Sequence, residues 1–234
     1  MPDKLKELQG VFMSEAEKYE VLPLDNSILQ RMLTARPSAT AGRTDFTYSG
    51  EMPGIPTGDA PSILNRSFSI TADIEVPVGG AEGMLATEGG RFGGYGLYLV
   101  KGTPVFTYNM LDLQRIRWEG KGPLGPGKHT IVFHFTSDGG PGFGNGGTGV
   151  LQVDGAEASS QKMTHTIPFL MPWDETFDVG VDTRTGVNDD DYQLPFRFTG
   201  TIDKLTVRLE APKRTAQEQQ LLDQKTQAAT NARQ

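Results

Sequence analysis

Cysteine is absent from the 234 residues. That excludes a disulfide, a thiolate zinc site and a cysteine nucleophile, and it leaves the redox compartment open. No run approaches the ~20 apolar residues that a membrane-spanning helix needs. No dense block of lysine and arginine is present either, and the formal charge is −7, so neither a nucleic-acid footprint nor a grip on an anionic membrane is expected. Histidine is scarce: His129, His134 and His165 are too scattered to read as a metal cluster or a Ser-His-Asp site. The start Met1-Pro2-Asp3-Lys4 reads as the opening of a charged helix and not as a signal peptide. Any export signal is expected on sequence outside this one, so a soluble protein is expected, with cytoplasm or periplasm left undecided.

What is plentiful is turn punctuation. The 29 glycines and 15 prolines fall between strand-like runs and not in one low-complexity block. The organising stretch is Arg91 to Asn109, two strands closed by Lys101-Gly102. If the loop is those two residues, Tyr95, Leu97 and Leu99 share one face with Tyr108, Phe106 and Pro104, the expected core face. Gly96, Tyr98, Val100, Val105 and Thr107 take the other. Gly102 equally fits a type I turn with a bulge, which would slip the pairing by one residue and reassign the faces. Phe68, Ile70, Ala72, Ile74 and Val76 alternate with Ser69, Thr71, Asp73 and Glu75, the cleanest period of two in the chain. Further strands are expected at Thr44 to Tyr48, Glu82 to Thr87, Gln114 to Trp118, His129 to Thr136, Thr148 to Val153, Thr176 to Val181 and from Phe196 onward. In the last of these the apolar parity switches between Ile202 and Leu205, which predicts a bulge or bend near Asp203-Lys204. About ten short strands with almost no interior helix imply a mainly β fold, an antiparallel sandwich of jelly-roll type.

Three regions are expected. Residues 1–35 form a helical segment, with an amphipathic helix over Asp3 to Tyr19 and a short second helix from Asn26 to Met32. Residues 36–211 form the sandwich with its Pro/Gly-rich connector. Residues 212–234 are Gln-, Ala- and Thr-rich and read as a flexible or helical tail.

Site residues are sparse in such a pattern. Tyr98, Trp118 and Trp173 are the aromatics left open once the core face of the hairpin is filled, so a stacking platform for a sugar or aryl group would be built from them, with core or interface packing as the favoured competing reading. Asp174, Glu175, Asp178 and Asp182 open an acidic stretch that runs to Asp191 and could supply oxygen ligands to calcium, although it lacks EF-hand spacing. A solvated acidic surface is the competing reading. No cofactor is otherwise expected. The glycine clusters at 89 to 96 and 139 to 147 lack the Gly-Lys-Ser/Thr ending of a phosphate loop and read as turns.

Several segments carry a resemblance: Lys4-Leu-Lys-Glu-Leu-Gln9, Glu15-Ala-Glu-Lys-Tyr-Glu-Val-Leu-Pro-Leu-Asp25, Gly42-Arg-Thr-Asp-Phe-Thr-Tyr48, Asn65-Arg-Ser-Phe-Ser-Ile-Thr-Ala-Asp73, Gly89-Gly-Arg-Phe-Gly-Gly-Tyr95 and Glu175-Thr-Phe-Asp-Val-Gly180. From about Lys4 to Leu209 the chain resembles the C-terminal part of long bacterial arylsulfatases. The resemblance implies a concanavalin-like or laminin-G-like sandwich that follows a catalytic domain. In that family, sulfate esters are hydrolysed with a formylglycine made from the Cys or Ser of a Cys/Ser-x-Pro-x-Arg motif. Nothing here matches it: Ala35-Arg-Pro-Ser-Ala39 places the serine after the proline with no arginine at the required offset. No catalytic residue is therefore carried over. The function this implies is a non-catalytic sandwich supporting or covering a catalytic domain, held in the same chain or in another, with the first helix as the joint. The alternative is a free-standing lectin-like module whose partner is a glycan. Self-association fits either.

Overall fold

The computed structural model describes residues 1–24, 38–140, 143–168, 171 and 174–211. The expected helix at Asn26 to Met32, the candidate Trp173 and the tail from 212 lie outside the described residues. The chain divides into two compact units, Met1–Pro37 and Ser38–Gln234.

The first unit contains α1 (Pro2–Lys18), with proline in its first turn, Asp3 near the N-terminus and Lys18 in the last turn. Proline costs nothing where no backbone donor is needed, and both charges oppose the nearer end of the helix dipole. Leu5, Leu8, Val11 and Phe12 on this helix are exposed. No helix among the described residues is long and apolar enough to cross a membrane.

The second unit is an antiparallel jelly-roll sandwich. Its strands are β1 (Asp45–Tyr48), β2 (Met52–Pro56), β3 (Phe68–Val76), β4 (Gly83–Gly90), β5 (Gly93–Val100), β6 (Thr103–Met110), β7 (Gln114–Glu119), β8 (Gly127–Ser137), β9 (Asn145–Val153), β10 (Ala156–His165), β11 (Thr176–Val179) and β12 (Thr201–Leu209). One sheet runs β1-β12-β3-β8-β9-β10 and the other β2-β11-β4-β5-β6-β7. The β5–β6 hairpin pairs Tyr95 with Tyr108, Leu97 with Phe106 and Leu99 with Pro104, the register that a two-residue loop at Lys101-Gly102 requires. The β12 register shifts between Ile202 and Lys204, so the bulge lies where the parity switch placed it.

Strand β3 buries every second residue from Phe68 to Val76 against the opposite sheet. Between the sheets, Phe106 of β6 stacks on Phe133 of β8 at 3.4 Å between ring centroids and 9° between planes. Trp118 of β7 meets both rings edge-on, and its Nε1 donates to the Gly149 carbonyl of β9 at 2.8 Å. Position 149 must be glycine, because a Cβ there would stand 2.7 Å from the Trp118 ring.

Two strands escape the pattern reading. Strand β2 contains Pro53, Gly54 and Pro56 and lies at a sheet edge, where a missing ladder donor is tolerated. Strand β10 is also an edge strand, and of its ten residues only Met163 is buried, so it has no apolar alternation to read.

One core position carries an acid. Glu88 of β4 pairs with Tyr95 across the ladder, faces the interior and is 2 % exposed. Neither Glu88 Oε2 nor the Tyr95 hydroxyl has a well-formed hydrogen bond. Burial pushes the Glu88 carboxyl up to about 8, against a smaller opposing effect of the Tyr95 hydroxyl. The unfolded group ionises near 4.5, so the contribution to stability is complete below that value and is lost as the pH rises through about 8. Glu88→Gln fixes the neutral form and is expected to remove most of the stability loss between pH 5 and pH 8, on the order of 4 kcal/mol. Denaturant midpoints at the two pH values measure this; parallel pH profiles for the two proteins would contradict it.

Candidate functional site

The outer face of the second sheet is not left to solvent. Strands β4 and β5 are buried at almost every position on both faces, because the connection from β11 to β12 folds back over them. Its neck is tied by reciprocal backbone bonds, Asp182 N to Phe196 O at 3.2 Å and Phe196 N to Asp182 O at 3.0 Å, and by Met84 N to Phe196 O at 3.2 Å. Closely spaced ends around a compact irregular segment make residues 182–196 an Ω-loop. Beneath it, Met84, Tyr98, Val105, Val187 and Tyr192 form a second apolar cluster with Val100 and Phe196. The rings of Tyr98, Tyr192 and Phe196 lie 4.4 to 6.3 Å apart.

Polar struts fix the loop to the sheet. The Tyr98 hydroxyl donates to Asp191 Oδ2 at 2.6 Å and shares a 2.7 Å bond with the Thr107 hydroxyl. Arg117 Nε donates to the same Asp191 oxygen at 2.9 Å. Tyr192 donates to Asp182 at 2.5 Å and accepts from Val187 N at 3.0 Å. Burial raises Asp182 to about 7, opposed by the bond from Tyr192 and reinforced by Asp178 and Glu175 nearby.

The loop tip faces two hairpin tips of the sheet across an open polar cleft of about 260 Å³, lined by Arg91, Asp112, Arg115, Asn188, Asp189 and Asp190. Buried Asn109 sets the geometry on the sheet side. Its Nδ2 donates to the Gly90 and Arg91 carbonyls at 2.8 Å, and its Oδ1 accepts from Asp112 N at 3.0 Å, so one amide ties the β4–β5 turn to the β6–β7 turn. Arg115 spans the cleft, donating to the Val187 carbonyl at 3.0 Å and pairing with Asp112 at 2.7 Å. Arg91 pairs with Asp189 at 2.5 Å. Gly90 has no side chain because a Cβ there would meet the Thr185 hydroxyl at 2.1 Å, so the loop closes onto backbone.

The expected site residues lie elsewhere. Trp118 and Tyr98 are both fully buried, which fits the packing reading and corrects their candidacy as an open stacking platform. Trp118 pairs across the ladder with Phe106 and so shares its core face. Tyr98 does point away from the core, but the Ω-loop covers it. Trp173 lies outside the described residues. Among the described residues, Asp174, Glu175, Asp178 and Asp182 included, no three acidic or histidine side chains converge as metal ligands. Asp178 already accepts from Gly54 N and the Thr176 and Thr183 hydroxyls at 2.7 to 2.8 Å, Glu175 from Thr185, and Asp182 from Tyr192. Three of the four carboxylates are thus hydrogen-bonded to protein donors.

No protein-family model matches the chain, and no curated protein does. Solved structures do. The IT-sialidase CBM40 of Ruminococcus gnavus bound to α2,3 sialyllactose superposes with a TM-score of 0.50 at 13% identity, over 75% of this chain and 94% of that one. The likeness establishes the fold. The same module bound to α2,6 sialyllactose gives 0.47 at 13% identity with the same coverage. Domains LG4-5 of the mouse laminin α1 chain give 0.43 at 13% identity, over 72% of this chain and 43% of that one. These findings leave the sulfatase resemblance without further support.

The Asp191 struts predict a measurable effect. Asp191→Ala removes the acceptor shared by a buried phenol and a guanidinium, with an expected loss of about 1–3 kcal/mol and faster hydrogen exchange at Val187 and Phe196. Unchanged stability and unchanged exchange at those amides would contradict the role given to Asp191.

Proposed function

We propose that the protein is a non-catalytic, lectin-like module that binds a carbohydrate at the cleft between the Ω-loop and the hairpin tips. The observation that carries this reading is the cleft itself, a preformed polar concavity whose walls are held by Asn109, Arg115 and the Asp191 struts. A rigid scaffold presenting polar side chains from loops is how sandwich folds acquire ligands. The fold likeness to a sialidase module seen with a bound sialyllactose agrees with it. No nucleophile paired to a base is found at the cleft, so the arrangement favours binding over turnover.

A second reading is the accessory sandwich of an arylsulfatase-type enzyme. It is favoured by the segmental sequence resemblance from Lys4 to Leu209 and by the exposed apolar residues Leu5, Leu8, Val11 and Phe12 of α1, which would serve as the joint to a catalytic domain. One experiment separates the two readings. The purified chain is immobilised and offered an oligosaccharide array and, separately, a sulfatase catalytic domain carrying the formylglycine motif. Saccharide retention without capture of the catalytic domain is the expected result. Capture of that domain with no saccharide retained would favour the accessory role, and hydrolysis of an aryl sulfate by the chain alone would overturn both.

A further inference from the structure

The charges of the cleft are not free to act alike. Arg91 is held by Asp189 at 2.5 Å, and Arg115 by Asp112 at 2.7 Å, the Val187 carbonyl at 3.0 Å and the Arg91 carbonyl at 3.4 Å. Each guanidinium is thus paired with a cleft carboxylate; Arg91 donates through one N–H and Arg115 through several. Three carboxylates against two guanidiniums leave the cleft with an excess of one formal negative charge. An incoming carboxylate or sulfate would sit beside three carboxylates, two of them already paired with the arginines that would have to attract it.

At the loop tip, Asn188 and Asp190 carry side-chain atoms with no partner among the described residues. Asn188 is 8 % exposed. Its Oδ1 accepts from Asp190 N at 3.4 Å, while its Nδ2 has no acceptor among the described residues. Asp190, two residues on at the same loop tip, is exposed, and its carboxylate has no donor among the described residues. The Asn188 amide is thus a nearly buried donor that only a cleft occupant or water can satisfy, beside a carboxylate that only accepts.

We propose that the cleft selects a neutral saccharide, with a vicinal pair of hydroxyls held between Asn188 and Asp190. One hydroxyl donates to the Asp190 carboxylate, and the oxygen of its neighbour accepts from Asn188 Nδ2. Adjacent hydroxyls of a sugar ring offer a donor and an acceptor side by side, the complement of an amide donor near a carboxylate. Arg91 and Arg115 are positioning residues that hold the walls apart. Phe92 and Leu113, exposed at the two hairpin tips, supply apolar surface beside Arg91 and Asp112 in the chain. The inference rests on the carbohydrate-binding reading and adds the class of sugar and the two residues that read it.

The test is calorimetric titration of the full chain with neutral oligosaccharides and with sialylated and sulfated counterparts, repeated on Asp190→Asn and Asn188→Ala. Melting temperatures serve as the control for folding, and amide chemical-shift mapping of the unmodified protein locates the ligand. The expected result is binding of a neutral saccharide, with shifts centred on residues 187–191 and on Arg91 and Arg115. Asp190→Asn should weaken it on the order of tenfold to a hundredfold at an unchanged melting temperature, and Asn188→Ala should weaken it as well. Neutral saccharide bound equally by the variants, or shifts centred away from the cleft, would overturn the site. Binding confined to sialylated or sulfated sugars would overturn this inference and leave the carbohydrate reading standing. Absence of all saccharide binding would remove both.

Discussion

The sandwich depends on one contact between its sheets, the wedge of Trp118 against the stacked pair of Phe106 and Phe133. Three large rings from three strands are buried together between the sheets. Their burial supplies the apolar area that offsets the ordering of so many strands and turns. The indole Nε1, which could not be left dry and unpaired, donates to the Gly149 carbonyl on the opposite sheet. A polar atom thereby sets the alignment of two layers that are otherwise held by shape. Glycine at 149 is a consequence of this contact, since any side chain there would push into the ring.

The second constraint follows from the first. With one face of the β4–β7 sheet committed to the core, the other carries Met84, Tyr98 and Val105, which must also be removed from water. The Ω-loop does this with Val187, Tyr192 and Phe196, and hydroxyl–carboxylate bonds hold it where apolar contact alone would leave its register free. Closing that face moves the accessible polar surface to the rim. There the loop tip and the two hairpin tips meet, and there Asn109, Arg115 and Arg91 spend their hydrogen bonds on holding the walls of the cleft.

Much of the fold was legible because strands announce themselves by a period of two. The β3 alternation, the β5–β6 register and the bulge at Ile202–Lys204 all follow from parity. Parity also located Tyr98 on the face away from the core. What it could not show was that a segment some ninety residues later returns to cover that face, so a correct orientation gave a wrong exposure. Trp118 was recoverable in principle: pairing β7 to β6 through Phe106 puts the indole inside, but the register across Leu111-Asp112-Leu113 is not announced by a standard turn signal. Strand β10 was illegible because an edge strand with both faces near solvent needs no alternation.

The site was the least legible part. The acidic stretch reads as a single patch in sequence, yet the structure divides it by function. Glu175, Asp178 and Asp182 are taken up by hydroxyl and amide donors, Asp191 is a strut, Asp189 neutralises Arg91, and of those on the Ω-loop Asp190 is left uncommitted. Spacing carries none of that, because the partners come from other strands. Asn109 had no signal at all beyond its place on β6.

Indole fluorescence of Trp118, recorded in a Trp173→Phe background so that a single ring reports, tests the central claim most directly. An aromatic wedge sealed between two sheets predicts blue-shifted emission, little quenching by acrylamide and no change when saccharide is added. Red-shifted, readily quenched emission that responds to saccharide would place the ring at the surface and contradict the account.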